Sequence, residues 1–191
     1  MRINTALLLV TAFVPVLAAQ DAQFVAALER AQSTRPATIA QSARIAPESE
    51  PGTPLVIHGT AFADDGRTPL ADVIVFAYHT DKQGLYDAPG APAHSWRLRG
   101  WARTDATGRF EFRTIRPGSY PSSRIPAHVH FTLFTSNARY HAGELQFADD
   151  PFLPADRREA SGEFGSVRPV RREGTVEHVD VRIRLNPAEK F

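Results

Sequence analysis

Beyond residue 54 the chain is a succession of short β-like runs separated by turn residues, with no long helical period among them. Residues 55–62 are β-like and end at the turn Asp64-Asp65-Gly66. Residues 73–78 form an unbroken apolar run, the pattern of a central strand buried on both faces. Residues 99–104 and 109–113 flank Asp105-Ala106-Thr107-Gly108, which predicts a hairpin, and period-2 alternation puts Phe110 and Phe112 on one face. Residues 129–134 make another strand. Near the end, Val179, Val181, Ile183 and Leu185 alternate with Asp180, Arg182 and Arg184, giving a strand with one wet face. Short strands with regular turn signals predict an all-β sandwich over residues 54–191, and 191 residues suit one domain with a sizeable core.

The first 53 residues differ. Residues 1–19 have the layout of a secretory signal peptide: a positive start at Arg2, an apolar stretch over 6–17 broken by Thr11, then small residues at Ala18 and Ala19. The stretch is shorter than the roughly 20 residues of a bilayer span. The expectation is a secreted or periplasmic protein, free of the membrane after cleavage, with an uncleaved anchor as the alternative. Over 20–53, Phe24, Ala27 and Leu28 could line a short helix ending near Ala31, and the Ser-, Pro-, Thr- and Ala-rich remainder predicts a linker or a strap over the domain.

The chain has no cysteine, which excludes disulfides, a lipid-bearing cysteine, thiolate metal sites and cysteine nucleophiles. Any metal must be held by nitrogen and oxygen. A formal net charge of +1 gives no electrostatic footprint for nucleic acid. Arg157, Arg158, Arg168, Arg171 and Arg172 are interleaved with Asp156, Glu159, Glu163 and Glu173, the pattern of a solvated loop face rather than an anion-binding patch.

The segment Pro126-Ala127-His128-Val129-His130-Phe131 concentrates the chemistry. Residues two apart on a strand project to one face, so His128 and His130 present their imidazoles together and suit chelation of a metal ion. Alone, such a pair also fits a wet strand surface. Ile125, Val129 and Phe131 make the other face apolar, so the histidines need partners or a ligand. Of the four tyrosines, Tyr86 follows Asp81-Lys82-Gln83-Gly84-Leu85 and Tyr120 lies in Pro117-Gly118-Ser119-Tyr120-Pro121. Both sit on loops framed by glycine or proline. A phenolate is a hard anionic donor suited to Fe(III), though a single loop tyrosine is ordinarily a packing residue.

Residues 55–151 resemble the catalytic domain of the intradiol ring-cleavage dioxygenases. Residues 59–70 are similar to that family's opening strand and turn, and residues 81–86 to its D-x-x-G-x-Y segment. Residues 99–110 are similar to its R-G-x-x-x-T-D-x-x-G-x-Y/F segment, residues 117–121 to its second tyrosine segment, and residues 126–131 to its P-A-H-I-H-F strand. The resemblance implies an Fe(3+) ion held by Tyr86, Tyr120, His128 and His130, with a catecholic substrate and O2. It implies that Tyr120 is displaced and accepts a substrate proton, and that the ring opens between its two hydroxylated carbons to a muconate-type diacid. The resemblance breaks at two places. Many members carry an arginine directly before Pro-Ala-His, where this chain has Ile125 and places Arg124 one residue earlier. Glu144 stands where the family has a glutamine. Arg124 and Glu144 are therefore the further catalytic candidates.

The other histidines, His58, His79, His94, His141 and His178, lack paired spacing and suit surface or hydrogen-bonded roles; His79 and His141 come nearest to an expected pocket rim. Trp101 is expected in the core and Trp96 at a pocket mouth. Two other readings compete. Residues 59–112 also resemble a transthyretin-like or carboxypeptidase-regulatory binding module, which needs no metal. A zinc hydrolase could use His128, His130 and Glu144 but leaves both tyrosines unexplained. The sequence leaves room for a homo-oligomer and does not name the aromatic substrate.

Overall fold

The computed structural model describes residues 16–159 and 162–191, so most of the expected signal peptide lies outside the described residues. Among the described residues two α-helices, α1 (Val16–Ser33) and α2 (Ala155–Glu159), accompany ten strands. The strands are β1 (Ser42–Arg44), β2 (Pro54–Phe62), β3 (Ile74–His79), β4 (Leu98–Arg103), β5 (Arg109–Ile115), β6 (His128–Phe134), β7 (Arg139–Phe147), β8 (Val167–Arg168), β9 (Arg171–Glu173) and β10 (Val176–Arg184). They form two five-stranded mixed sheets, ordered β1-β5-β2-β10-β9 and β4-β3-β6-β7-β8. This is the predicted sandwich.

Alternation builds the core. Ile57, Ala61, Phe110, Phe112, Val179, Val181 and Ile183 point inward from the first sheet. Val75, Ala77, Ala102, Val129, Phe131 and Leu133 meet them from the second. The run over 73–78 is buried on both faces, as expected. Its other face, Ile74, Phe76 and Tyr78, joins Trp96, Trp101 and the helix residues Ala27, Leu28 and Ala31 in a second cluster. Helix α1 thus covers the outer face of the second sheet with the apolar stripe its sequence indicated.

Two expectations about chain organisation are corrected. The predicted hairpin does not form, because β4 and β5 lie in different sheets. Ala102 and Phe110 with Phe112 face one core from opposite sides, and only strands in facing sheets can bury them all. The connecting turn is shaped for this. Asp105 Oδ1 accepts from the amides of Thr107 and Arg109. Gly108, at φ 76°, lies against the Ala61 carbonyl, and its own carbonyl accepts from Ala61 N. The second correction concerns 33–53, which is no mere strap. β1 pairs in parallel with β5, and Ile45 and Ala46 enter the inter-sheet core, so the core runs across the expected boundary at 53/54.

His79 is not at a pocket rim. It is wholly buried between the sheets, 2.7 Å from the Thr80 carbonyl and 2.6 Å from Thr114 Oγ1 on β5. Burial pushes its imidazole down to about 4. The unfolded chain takes up this proton below about pH 6.5, whereas the folded one resists it until near pH 4. His79 therefore costs no stability above pH 6.5 and removes about 3 kcal/mol as pH falls through that window. Urea midpoints measured from pH 7 to pH 4 should fall more steeply for the wild-type chain than for His79→Gln. Parallel profiles would show that this histidine does not drive the loss.

Candidate metal centre

The centre grows from β6. Val129 and Phe131 point into the core, so His128 and His130 point out of the sandwich beneath the α1 layer. The strand's start is pinned by Asp150, whose Oδ2 accepts from Ala127 N at 3.0 Å. His128 Nδ1 donates to the Pro126 carbonyl at 2.8 Å, which makes Nε2 the nitrogen with the free lone pair. His130 stands between Tyr78 on β3 and Glu144 on β7. The Tyr78 ring stacks on it at 4.7 Å and 20°. A register irregularity in the β6–β7 ladder falls between His130 and Thr132, the kind of bulge that re-aims a side chain.

The tyrosines come from two loops locked together backbone to backbone. Asp81 Oδ1 accepts from the amides of Gln83 and Leu85, and the Asp81 carbonyl accepts from Gly84 N, closing the turn that delivers Tyr86. The same carbonyl accepts from Gly118 N at 2.8 Å, and Thr80 Oγ1 donates to the Gly118 carbonyl at 2.7 Å. A Cβ on Gly84 would sit 2.0 Å from the Ser119 carbonyl oxygen, and one on Gly118 would sit 2.4 Å from that of Lys82. Only glycine lets these loops touch.

The four side chains meet at one point. The Tyr86 hydroxyl lies 2.8 Å from that of Tyr120, 2.9 Å from His130 Nε2 and 3.4 Å from His128 Nε2. The Tyr120 hydroxyl lies 3.0 Å from His128 Nε2. Donors bound at about 2.0–2.1 Å to one ion, at angles between square and tetrahedral, stand about 2.8–3.4 Å apart. The observed separations fill that range, so the donor set fits a single first-row metal ion with hard N and O ligands. Glu144 also lies near, its ligand atom within 4.8 Å of those of His128 and His130. Its Oε2 is 4.0 Å from His130 Nδ1, the nitrogen turned away from the tyrosines, so Glu144 backs His130 and does not complete a three-ligand zinc set.

Electrostatics point the same way. Burial pushes the phenols of Tyr86 and Tyr120 above their ordinary value, and the hydrogen bond between them raises Tyr86 further while partly offsetting the rise at Tyr120. Burial, with repulsion from His128, pushes His130 down to about 3. The protein by itself favours the uncharged forms of Tyr86, Tyr120 and His130 around a shared centre, and a cation placed there reverses the preference for protonated phenols.

A cavity of about 400 Å³ opens over the cluster, lined by Gln23, Phe24, Tyr78, Tyr86, His94, Trp96, Tyr120 and His130. A second, of about 260 Å³, adjoins it at His141, Gly143 and Glu144. Trp101 is in the core as expected. Trp96 lines the cavity while itself almost fully buried, stacked on Tyr78 at 4.1 Å. Trp96 and His94 take left-handed backbone angles, φ 45° and 59°, held by Asp87, which accepts from both amides. The structure does not bring Arg124 to the cluster. Its side chain is exposed with the guanidinium over the Phe152 ring, and it lines neither cavity. Sequence reasoning missed Phe24 and Asp150 at the site and put Tyr78 no closer than an expected pocket rim. Nothing local marks Tyr78 or Phe24, because their place depends on packing between distant segments.

The family model described as Dioxygenase matches residues 28–182 of the chain. The chain is 34% identical over 128 residues to catechol 1,2-dioxygenase 1 of Acinetobacter lwoffii, covering 57% of this chain and 40% of that protein. It is 26% identical to the solved dioxygenase domain of a dioxygenase–carbohydrate-binding protein fusion from Streptomyces sp. SirexAA-E, at a TM-score of 0.59 over 79% of this chain and 93% of that one. The catechol 1,2-dioxygenase of Acinetobacter sp. ADP1 shares the fold, with a TM-score of 0.59 at 22% identity, covering 88% of this chain and 69% of that one. The chain belongs to the intradiol ring-cleavage dioxygenase family, whose members bind iron. It spans about half the length, or less, of the curated relatives it matches.

The contact between the two tyrosine loops gives a direct test. Gly84→Ala or Gly118→Ala should separate Tyr86 from Tyr120 and weaken metal binding about tenfold or more, with the far-UV circular dichroism of the sandwich retained. Wild-type metal affinity in both variants would show that the contact does not position the donors.

Proposed function

We propose that this protein is a non-haem Fe(III) dioxygenase that uses O2 to cleave a catecholic ring between its two hydroxylated carbons. The observation that carries this reading is the convergence of Tyr86, Tyr120, His128 and His130 at separations of 2.8 to 3.4 Å. Two phenolates supply hard negative charge suited to a ferric ion, and the family match and the catechol-cleaving relatives support the reaction type. Neither the binding-module nor the zinc-hydrolase reading draws comparable support.

A ferric ion held by Tyr86, Tyr120, His128 and His130 would supply Lewis-acid and template chemistry to a catecholic substrate. The protein's residues set up that chemistry. Tyr86 sits at the middle of the donor set, within reach of the other three, and stays as a fixed anionic ligand. Tyr120, which also lines the cavity, is the residue that the family resemblance assigns to yield its place and to take the substrate's hydroxyl proton on its phenolate oxygen. His128 is held in one tautomer by the Pro126 carbonyl, and His130 is braced between Tyr78 and Glu144. Phe24 and Trp96 form aromatic walls around a cavity of a size suited to a small ring, and the α1 layer restricts water. Glu144 acts through His130. Arg124 has no assigned part while it stays on Phe152. The leader-like residues 1–19 support a secreted or periplasmic location, where lignin- or plant-derived phenols are the natural class of substrate.

A visible absorption spectrum with metal analysis tests the assignment. The mature protein should carry about one iron per chain and a red-brown charge-transfer band that shifts on addition of a catechol. Tyr86→Phe should weaken and shift the band, since Tyr120 remains as the second phenolate donor. Tyr120→Phe should keep iron while kcat falls about a hundredfold or more. A chain that stays colourless after ferric reconstitution would overturn the iron reading.

A further inference from the structure

A second group of ligand-type side chains lies on the opposite face of the sandwich, on the outward side of the β1-β5-β2-β10-β9 sheet. His58 on β2 and His178 on β10 stack with ring centroids 5.4 Å apart and planes 7° from parallel. His58 Nε2 lies 3.1 Å from His178 Nδ1. The outer nitrogen of each ring faces a carboxylate, His58 Nδ1 at 3.4 Å from Glu111 Oε2 and His178 Nε2 at 3.8 Å from Glu173 Oε2. Glu111 is fixed in place, its Oε1 accepting from Ser42 Oγ and Arg113 Nε, each at 2.9 Å, which leaves Oε2 for His58.

A carboxylate beside one ring nitrogen draws the imidazole N–H to that side and leaves the lone pair on the other nitrogen. Carboxylates on both outer sides can therefore take the imidazole N–H groups and free His58 Nε2 and His178 Nδ1, which share a hydrogen bond at 3.1 Å, as a pair of donors for one metal cation. The separation of 3.1 Å falls within the spacing of neighbouring donors on one ion, about 2.8–3.4 Å, that the tyrosine–histidine centre also shows. The nearby guanidiniums do not oppose a cation, since Arg113 is paired with Glu111 and Arg171 with Asp180 at 2.8 Å. Asp180 lies directly across from His58 in the β2–β10 register, where its pairing with Arg171 leaves the local charge balanced.

We propose that His58 and His178 chelate a divalent late transition-metal ion, with Glu111 and Glu173 orienting the rings and water completing the shell. Two imidazoles with carboxylates behind them bind Cu2+ most tightly among the divalent first-row ions. The ion joins neighbouring strands far apart in sequence, so its binding stabilises the folded chain.

The probe is Cu2+, titrated into the full-length mature protein already loaded with its principal metal and followed by electron paramagnetic resonance and thermal unfolding. The expected result is about one further saturable copper per chain, a nitrogen-coupled signal and a raised Tm. His58→Gln and His178→Gln should each weaken this copper about tenfold or more, Glu111→Gln should weaken it about tenfold, and His130→Gln should leave it in place. No saturable copper, a titration unchanged by His58→Gln and His178→Gln, or a signal abolished by His130→Gln would each overturn the proposal.

Discussion

Strands β3 and β6 bury side chains on both faces, and the rest of the molecule is arranged around that. Val75, Ala77, Val129 and Phe131 close the core between the sheets. On the other side, Phe76 and Tyr78 need a second cover, which α1 and the loop carrying Trp96 supply. Each large side chain taken out of water contributes about 1.5–3 kcal/mol, and the Tyr78–Trp96 stack about 0.5–1.5 kcal/mol beyond its area. The same alternation that fills this second layer forces His128 and His130 into it. The donors are thus buried by the folding of the strand, and the layer over them becomes the wall of the cavity.

Placing polar donors in such a layer is unfavourable unless something satisfies them. Two arrangements reduce the cost. One is the carbonyl of Pro126, which takes the His128 N–H and leaves a single lone pair exposed. The other is the contact of the Gly84 and Gly118 loops, which brings two phenols within hydrogen-bonding distance of each other and of the imidazoles. The remaining lone pairs converge on one point. The His58–His178 pair repeats that logic in miniature on a solvated face, with carboxylates in place of the carbonyl.

Much of this was legible in the chain itself. The double burial of 73–78, the one-sided strand over 179–185 and the shared face of His128 and His130 follow from a two-residue period, a local property of the backbone. The Asp81-to-Tyr86 and Pro117-to-Tyr120 segments were legible as loops because glycine and proline mark turns whatever surrounds them. The hairpin over 99–113 failed for the opposite reason. Asp105 and Gly108 encode a turn, yet a local turn signal does not say whether the following strand pairs with its predecessor or crosses to the facing sheet. Burial of Ala102, Phe110 and Phe112 decided that, and it depends on the whole core. Similarly, Ser42–Arg44 has no strand-like pattern and pairs only because β5 offers an open edge.

By itself, then, the sequence determined the sandwich class, the strand faces and the donor types, since backbone period and side-chain chemistry need no partner to be read. Only the tertiary structure decided which donors meet. It put Glu144 behind His130 rather than beside the tyrosines, left Arg124 on Phe152, and brought Tyr78, Trp96 and Phe24 around one cavity from three separate segments. The physical reason is that those distances are set by long-range packing of two sheets and a helix, in which residues tens of positions apart are fixed by the burial of others.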